Sequence, residues 1–181
     1  MKKFNKIILS ILVIFTLLFS YSCDPFDELF LTLSMDLEFN TSGNSSVIFL
    51  PASICLSDFE DYEDNQENIE QINYISSAYL TLSATTGLQG DNLKLTFYQA
   101  DQSTVLFQYT QSHFVAGDYV NNPLEIVLTD HEKANVNNYL KEPQVDKCFY
   151  ATLEVSNVTS ASQNYTLSSK MEFLTKLKIK P

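Results

Sequence analysis

Strict alternation of apolar and polar residues runs through much of the chain. From position 29 to 39, Leu29, Leu31, Leu33, Met35, Leu37 and Phe39 share one parity, and Thr32, Ser34, Asp36 and Glu38 share the other. A period of two places all the apolar side chains on one face of a strand. Asn40 to Ser45 is a cluster of turn formers. Ser46 to Leu50 reads as a second, apolar strand that Pro51 ends or bends. The pattern resumes over 72–84, with Ala78, Leu80 and Leu82 on one parity and Tyr79 and Thr81 on the other. Gly87 and Gly90 mark a turn. Residues 92–99 set Leu93, Leu95 and Phe97 against Lys94, Thr96 and Tyr98, and a short Ala100-Asp101-Gln102 connection leads to 103–110, with Val105, Phe107 and Tyr109 inward. That pair reads as a hairpin. A polar stretch around Gly117 precedes a strand over 124–128. Residues 146–156 carry Phe149, Ala151, Leu153 and Val155 inward. The stretch 165–179 is so long that a break or a bulge is expected in it.

One helix interrupts the strands. Thr129 and Glu132 have the spacing of a capping box, in which each satisfies a backbone N–H at the helix start. Asp130 and Glu132 suit the positive end of the helix dipole. Val136, Tyr139 and Leu140 make one narrow apolar stripe, and Pro143 stops the helix, which is expected over 130–141, lying across one end of the sheets. Asp58 to Glu70 holds seven acids, so self-repulsion predicts a solvated loop or a frayed helix there. Seven or eight strands with regular turn signals predict an all-β fold: an antiparallel β-sandwich, immunoglobulin-like or jelly-roll, forming a single domain over 29–181. A closed barrel with a cavity is the structural alternative.

The first 22 residues follow a different logic. Lys2, Lys3 and Lys6 precede a 13-residue apolar run from Ile7 to Phe19, broken by Ser10 and Thr16. The run is too short to cross about 30 Å of hydrocarbon and has the layout of a cleaved signal peptide. Cys23 follows at once. The stretch Phe19-Ser20-Tyr21-Ser22-Cys23 resembles a bacterial lipobox, although Tyr21 is bulky for one and Ser20 stands where Leu is usual. The resemblance implies that the Cys23 thiol is acylated and the chain cut before it. An ordinary signal peptidase suits the same bond. Two or three acyl chains, at about 0.8 kcal/mol per buried CH₂, hold a domain on a membrane almost permanently. Asp24, Asp27 and Glu28 then form an acidic tether over 23–28 that resembles the export signal of Bacteroidota surface lipoproteins. The resemblance implies an outer-membrane location, on the periplasmic or the cell-surface face.

Composition narrows the partners. The chain has 181 residues, with 11 Lys, no Arg and 22 acids. Removing the first 22 residues leaves eight Lys and a net charge of -14. Such a balance excludes a nucleic-acid partner, which needs cations on its phosphates. No sequence motif calls for a cofactor. His113 and His131 lie 18 residues apart, in no ligand spacing, and no nucleophile motif or phosphate loop occurs. Asp58, Glu60, Asp61, Glu63 and Asp64 supply oxygens enough for Ca²⁺ but lack the glycine of an EF-hand turn, and a solvated loop is the simpler expectation. Cys55 and Cys148 are a candidate disulfide in an exported protein. Because Cys148 lies opposite Phe149 and Leu153 in parity, such a bridge belongs on an outer face; two unpaired thiols are the alternative. Tyr79, Tyr98 and Tyr150 fall on polar parities and make a candidate aromatic platform for a sugar ring, with ordinary cross-strand pairing as the plainer account. Sequons at Asn40, Asn44, Asn157 and Asn164 matter only in a eukaryotic secretory route.

These features predict a lipid-anchored envelope protein that binds or assembles without catalysis, with an envelope protein or a glycan as partner. The alternatives are a carrier of a small apolar ligand in a barrel-like cavity and an envelope enzyme of unidentified class.

Overall fold

The computed structural model describes residues 28–180. The expected signal peptide and the expected acylation site Cys23 lie outside them. Eight strands form two four-stranded sheets. β1 (Leu29–Gly43), β8 (Tyr165–Ile179), β3 (Ile69–Ala84) and β6 (Leu124–Glu125) lie in that order in one sheet. β2 (Val47–Cys55), β7 (Cys148–Ser156), β4 (Gln89–Gln99) and β5 (Val105–Val115) form the other. All pairings are antiparallel. Strands 1·8, 2·7, 3·6 and 4·5 pair as they would along one long hairpin, and the 8·3 and 7·4 pairings wrap that hairpin into two layers. This is the jelly-roll order. It settles the sandwich as jelly-roll, not immunoglobulin-like, and closes the barrel alternative.

The two longest strands are the most regular. β1 and β8 pair without a bulge over 15 residues each, with Leu33, Met35, Leu37 and Phe39 facing inward from β1. The expected break in β8 is absent. The irregularity lies in its partner β3, with register shifts between Tyr74 and Ser76 and between Thr81 and Ser83. A one-residue slip flips the faces of a strand. Tyr79 and Thr81 therefore point into the core and Leu82 is exposed, the reverse of the expected parity. β2 does not end at Pro51. It runs on to Cys55, because it is an edge strand and an edge tolerates a residue with no N–H to donate. Between the sheets, Phe97 stacks on Phe107, Phe149 and Phe173 with ring centroids 5.0–5.2 Å apart. At the inward-facing Thr175, the buried hydroxyl has no hydrogen-bond partner.

The strand over 124–128 shrinks to Leu124–Glu125, with Ile126 and Leu128 buried past it. Helix α2 (Asp130–Tyr139) takes over beyond it, after a one-turn helix α1 (Glu60–Glu63) in the acidic run. The capping box forms as the spacing predicts: Thr129 accepts from the Glu132 N–H, and Glu132 accepts from the Thr129 N–H at 2.9 Å. α2 covers the β3 edge that short β6 leaves open, where Asn137 Oδ1 accepts from the Tyr74 N–H at 2.8 Å, and its last turn reaches one end of the sandwich, where Tyr139 accepts from the Ala100 N–H.

The pairings give the sandwich two ends. Residue 28, the turns over 56–68 and 100–104, and the segment 126–147 reach one end, called here the entry end. The connections 44–46, 85–88, 116–123 and 157–164 form the far end. The acidic run is more ordered than expected. It folds as a 3₁₀ turn (Leu56–Asp58), α1 and a second 3₁₀ turn (Gln66–Asn68). Its acids stay exposed while Leu56 and Tyr62 are buried. Tyr62 donates to the Pro143 carbonyl at 2.9 Å and accepts from Gln66. Burial raises the phenol's pKa, which the Gln66 hydrogen bond partly offsets and the negative charge of Asp146 reinforces.

Candidate functional site

The structure brings some of the sequence candidates together and separates others. Cys55 and Cys148 stand opposite each other on β2 and β7 and form a disulfide on the outer face of the sheet, as parity requires. Tyr98 and Tyr150 are cross-strand neighbours with ring centroids 5.9 Å apart. Tyr79 does not join them. It belongs to the other sheet, is fully buried, and shares a 3.2 Å hydrogen bond with Thr81. Its phenol pKa is raised by burial, against the hydrogen bond from Thr81. The three-tyrosine platform is therefore corrected to a pair, half-buried and tilted by 50°, with no shared flat face for a sugar ring.

The proposed calcium ligands do not converge. Asp58 is engaged by the Cys55 N–H at 2.7 Å, and Glu60, Asp61, Glu63 and Asp64 point into solvent. Among the described residues, the cluster with metal-ligand geometry is Cys55, Asp146 and Cys148, whose two sulfurs are spent in the disulfide. His131 is exposed on the first turn of α2. His113 is exposed near the end of β5, with a left-handed backbone at φ 55°.

Among the surface clefts, one at each end is of interest. The far-end cleft, about 450 Å³, is lined by Asp91, His113, Asn157 and Thr159 among others. Asn157 is also left-handed, at φ 51°, and its amide donates to Asp91 at 2.6 Å. Gly90 sits where a Cβ would lie 2.5 Å from Val155 Cγ1 and 2.6 Å from the Ser156 carbonyl, so the backbones of β4 and β7 approach too closely for any side chain there.

The entry-end cleft is larger, about 520 Å³, and lies between the β4–β5 turn, α2 and the segment leading to β7. Tyr139 forms one wall, its hydroxyl accepting from the Ala100 N–H at 3.3 Å and donating to the Cys148 carbonyl at 2.8 Å. Burial raises its pKa, against the Ala100 bond, with help from the charges of Asp101 and Asp146. Lys147 lies over the Tyr139 ring, 5.4 Å from its centroid, and 3.7 Å from Glu142. Next to the cleft, Asp101 accepts from the Thr104 hydroxyl and the Thr104 and Ser103 N–H groups, and these bonds hold its carboxyl well below the usual range. Sequence reasoning passed over this cleft because Gln99, Asn138, Lys141 and Lys147 share no local motif. Two lysines within seven positions, Lys141 and Lys147, were no clearer a signal than Lys176, Lys178 and Lys180 on the last strand.

Among the described residues, no helix is long and apolar enough to cross a membrane. No protein-family model matches the chain, and no curated protein does. Solved virus structures overlay on it loosely. Macrobrachium rosenbergii nodavirus gives 9% identity and a TM-score of 0.40, over 88% of this chain and 55% of that one. The VP2 subviral particle of infectious bursal disease virus gives 12% identity and a TM-score of 0.37, over 84% and 33%. Desmodium yellow mottle tymovirus gives 6% identity and a TM-score of 0.29, over 84% and 90%. The chain spans about a third of the bursal disease virus chains it matches. The jelly-roll assignment stands on the strand order itself.

Proposed function

We propose that the protein is a lipid-anchored component of a bacterial cell envelope, held at the outer membrane through acylated Cys23, that binds a partner and does not catalyse. The observation that carries this reading is the polarity of the sandwich. Five residues lead from Cys23 to Glu28, a reach of at most about 18 Å. A tether that short keeps the entry end near the bilayer. β1 and β8, each 15 residues long, extend about 50 Å at about 3.3 Å per residue, enough to carry the far end well clear.

The far end suits contact. Its connections hold Asp118 as their one acid and no lysine, and all four glycines of the chain lie in or beside them. Their side chains are mostly Ser, Thr, Asn and Gln, which donate and accept hydrogen bonds without a charge to desolvate. Such loops on a rigid scaffold are where binding residues concentrate. An envelope protein or an uncharged glycan fits that surface.

Mass spectrometry of the mature N-terminus from the native host tests the anchor. A diacylated or triacylated Cys23 is the expected result, and an unmodified Cys23 or another start removes it. For the non-catalytic part, turnover of an ester, glycan or peptide substrate by the purified protein is the contrary outcome.

A further inference from the structure

We infer that the entry-end cleft is a binding site for a phosphate or carboxylate group. The chain without its first 22 residues carries a net charge of -14, yet two of its eight lysines, Lys141 and Lys147, line this single cleft. Beside them stand the side-chain amides of Gln99, Asn135 and Asn138. The lining is thus rich in donors, with Glu142 as its one carboxylate.

Lys147 carries the argument. Its side chain is only 14% exposed, so the stem lies packed against the cleft wall while the ammonium still meets solvent. Among the described residues its ionic contact is Glu142, at 3.7 Å and with a side chain 74% exposed. That distance exceeds a hydrogen bond, so all three N–H donors of the ammonium remain available to a ligand. The aromatic face of Tyr139 steadies the cation without consuming a donor. The Tyr139 hydroxyl is already committed on both sides, which fixes that wall of the cleft. An anionic group seated between Lys147 and Lys141 accepts from both ammoniums, and the flanking amides orient it. At about 520 Å³ the cleft admits a headgroup-sized molecule. The site stands on these residues and does not depend on the anchor. Its position at the entry end makes a lipid headgroup one source of the anion and a soluble metabolite or acidic sugar the other.

The test uses the full chain purified in a non-ionic detergent, with glycerol phosphate and glucuronate as soluble probes and phosphatidylglycerol vesicles as the lipid probe. Calorimetry and phosphorus NMR line broadening read the binding. Saturable binding of at least one probe is expected, about tenfold weaker in Lys147→Met, an effect of about 1.4 kcal/mol. Lys141→Gln, at an exposed residue with no side-chain hydrogen bond among the described residues, is expected to weaken it about threefold. Lys94→Gln, remote from the cleft on β4, should leave it unchanged. Vesicle binding lost in Lys147→Met identifies a lipid source, whereas soluble-probe binding without it identifies a free ligand. Absence of saturable binding for every probe, or equal effects of Lys147→Met, Lys141→Gln and Lys94→Gln in folded protein, overturns the site.

Discussion

The two ends of the sandwich are built on opposite principles. The connections that reach the entry end hold eleven acids and three lysines, whereas those of the far end hold one acid. At the entry end, side chains tie distant segments together. Tyr62 donates to the Pro143 carbonyl, Gln144 to the Ile69 carbonyl, and Ser57 to Asp146 through both its N–H and its hydroxyl. The disulfide is added to these ties. At the far end the ties are mostly backbone to backbone: Gln89 with Thr159 in both directions, Val158 to Ser46, Ala161 to Thr86. Side chains used for folding are not free for a partner. At the far end Asn157, which holds Asp91, and Thr85, which pairs with Thr166, are used in this way, whereas the entry end commits Ser57, Tyr62, Gln144 and Asp146 to structure and leaves Glu60, Asp61, Glu63 and Asp64 to solvent.

Variants can break or sharpen that contrast. The largest effect is expected at the entry end. Replacing both cysteines of the 93-residue disulfide loop with Ala should cost about 4 kcal/mol in the chain-entropy account, read as a lower urea midpoint. A cost below about 1 kcal/mol would mean that the hydrogen-bonded ties alone hold this end. Gly90→Ala tests the one far-end position with no spare room. Its Cβ meets backbone as well as Val155, so a loss of about 2 kcal/mol is expected, and a neutral result would show that the far end yields.

Acid should loosen the entry end first. Burial pushes the Glu132 carboxyl up, but hydrogen bonds from the Thr129 N–H and hydroxyl outweigh it and leave the group lowered from its ordinary 4.5; Asp101 is likewise lowered from 3.8. A carboxyl with a depressed folded pKa stabilises above its unfolded pKa and loses that contribution as pH falls through the folded value. Hydrogen exchange is therefore expected to rise around α2 and the 100–104 turn below about pH 4.5, before it rises at 157–164. Thr129→Ala, which removes the cap, should cost about 1 kcal/mol and flatten this dependence. Simultaneous opening of both ends would contradict the assignment. The smallest effect is expected at Asn157. Its left-handed backbone suits glycine, so Asn157→Gly should change stability by less than about 0.5 kcal/mol while removing the amide that holds Asp91.

The fold was legible where strands are straight. β1 and β8 pair through 15 residues without a shift, so their alternation maps directly onto burial. It failed at β3, where three register shifts reverse parity between one stretch and the next. Leu128 misled for a different reason: it is buried, as a strand residue would be, but beyond Ile126, whose N–H makes a last bond to the Ser77 carbonyl of β3. The disulfide was half legible, since parity gave its face and pairing gave its register. The entry-end cleft was not, because Gln99, Asn138 and Lys147 meet only through the wrapping of the long hairpin.

The central claim is that the sandwich stands with its acidic, cross-tied end toward a lipid surface and its uncharged loops away from it. The direct measurement is fluorescence quenching by lipid-borne quenchers in vesicles carrying the acylated protein from its host, labelled at Asp101→Cys in one sample and Ser162→Cys in the other. Strong quenching at position 101 and none at 162 is expected. Equal quenching at both positions, stronger quenching at 162, or none at either would contradict it.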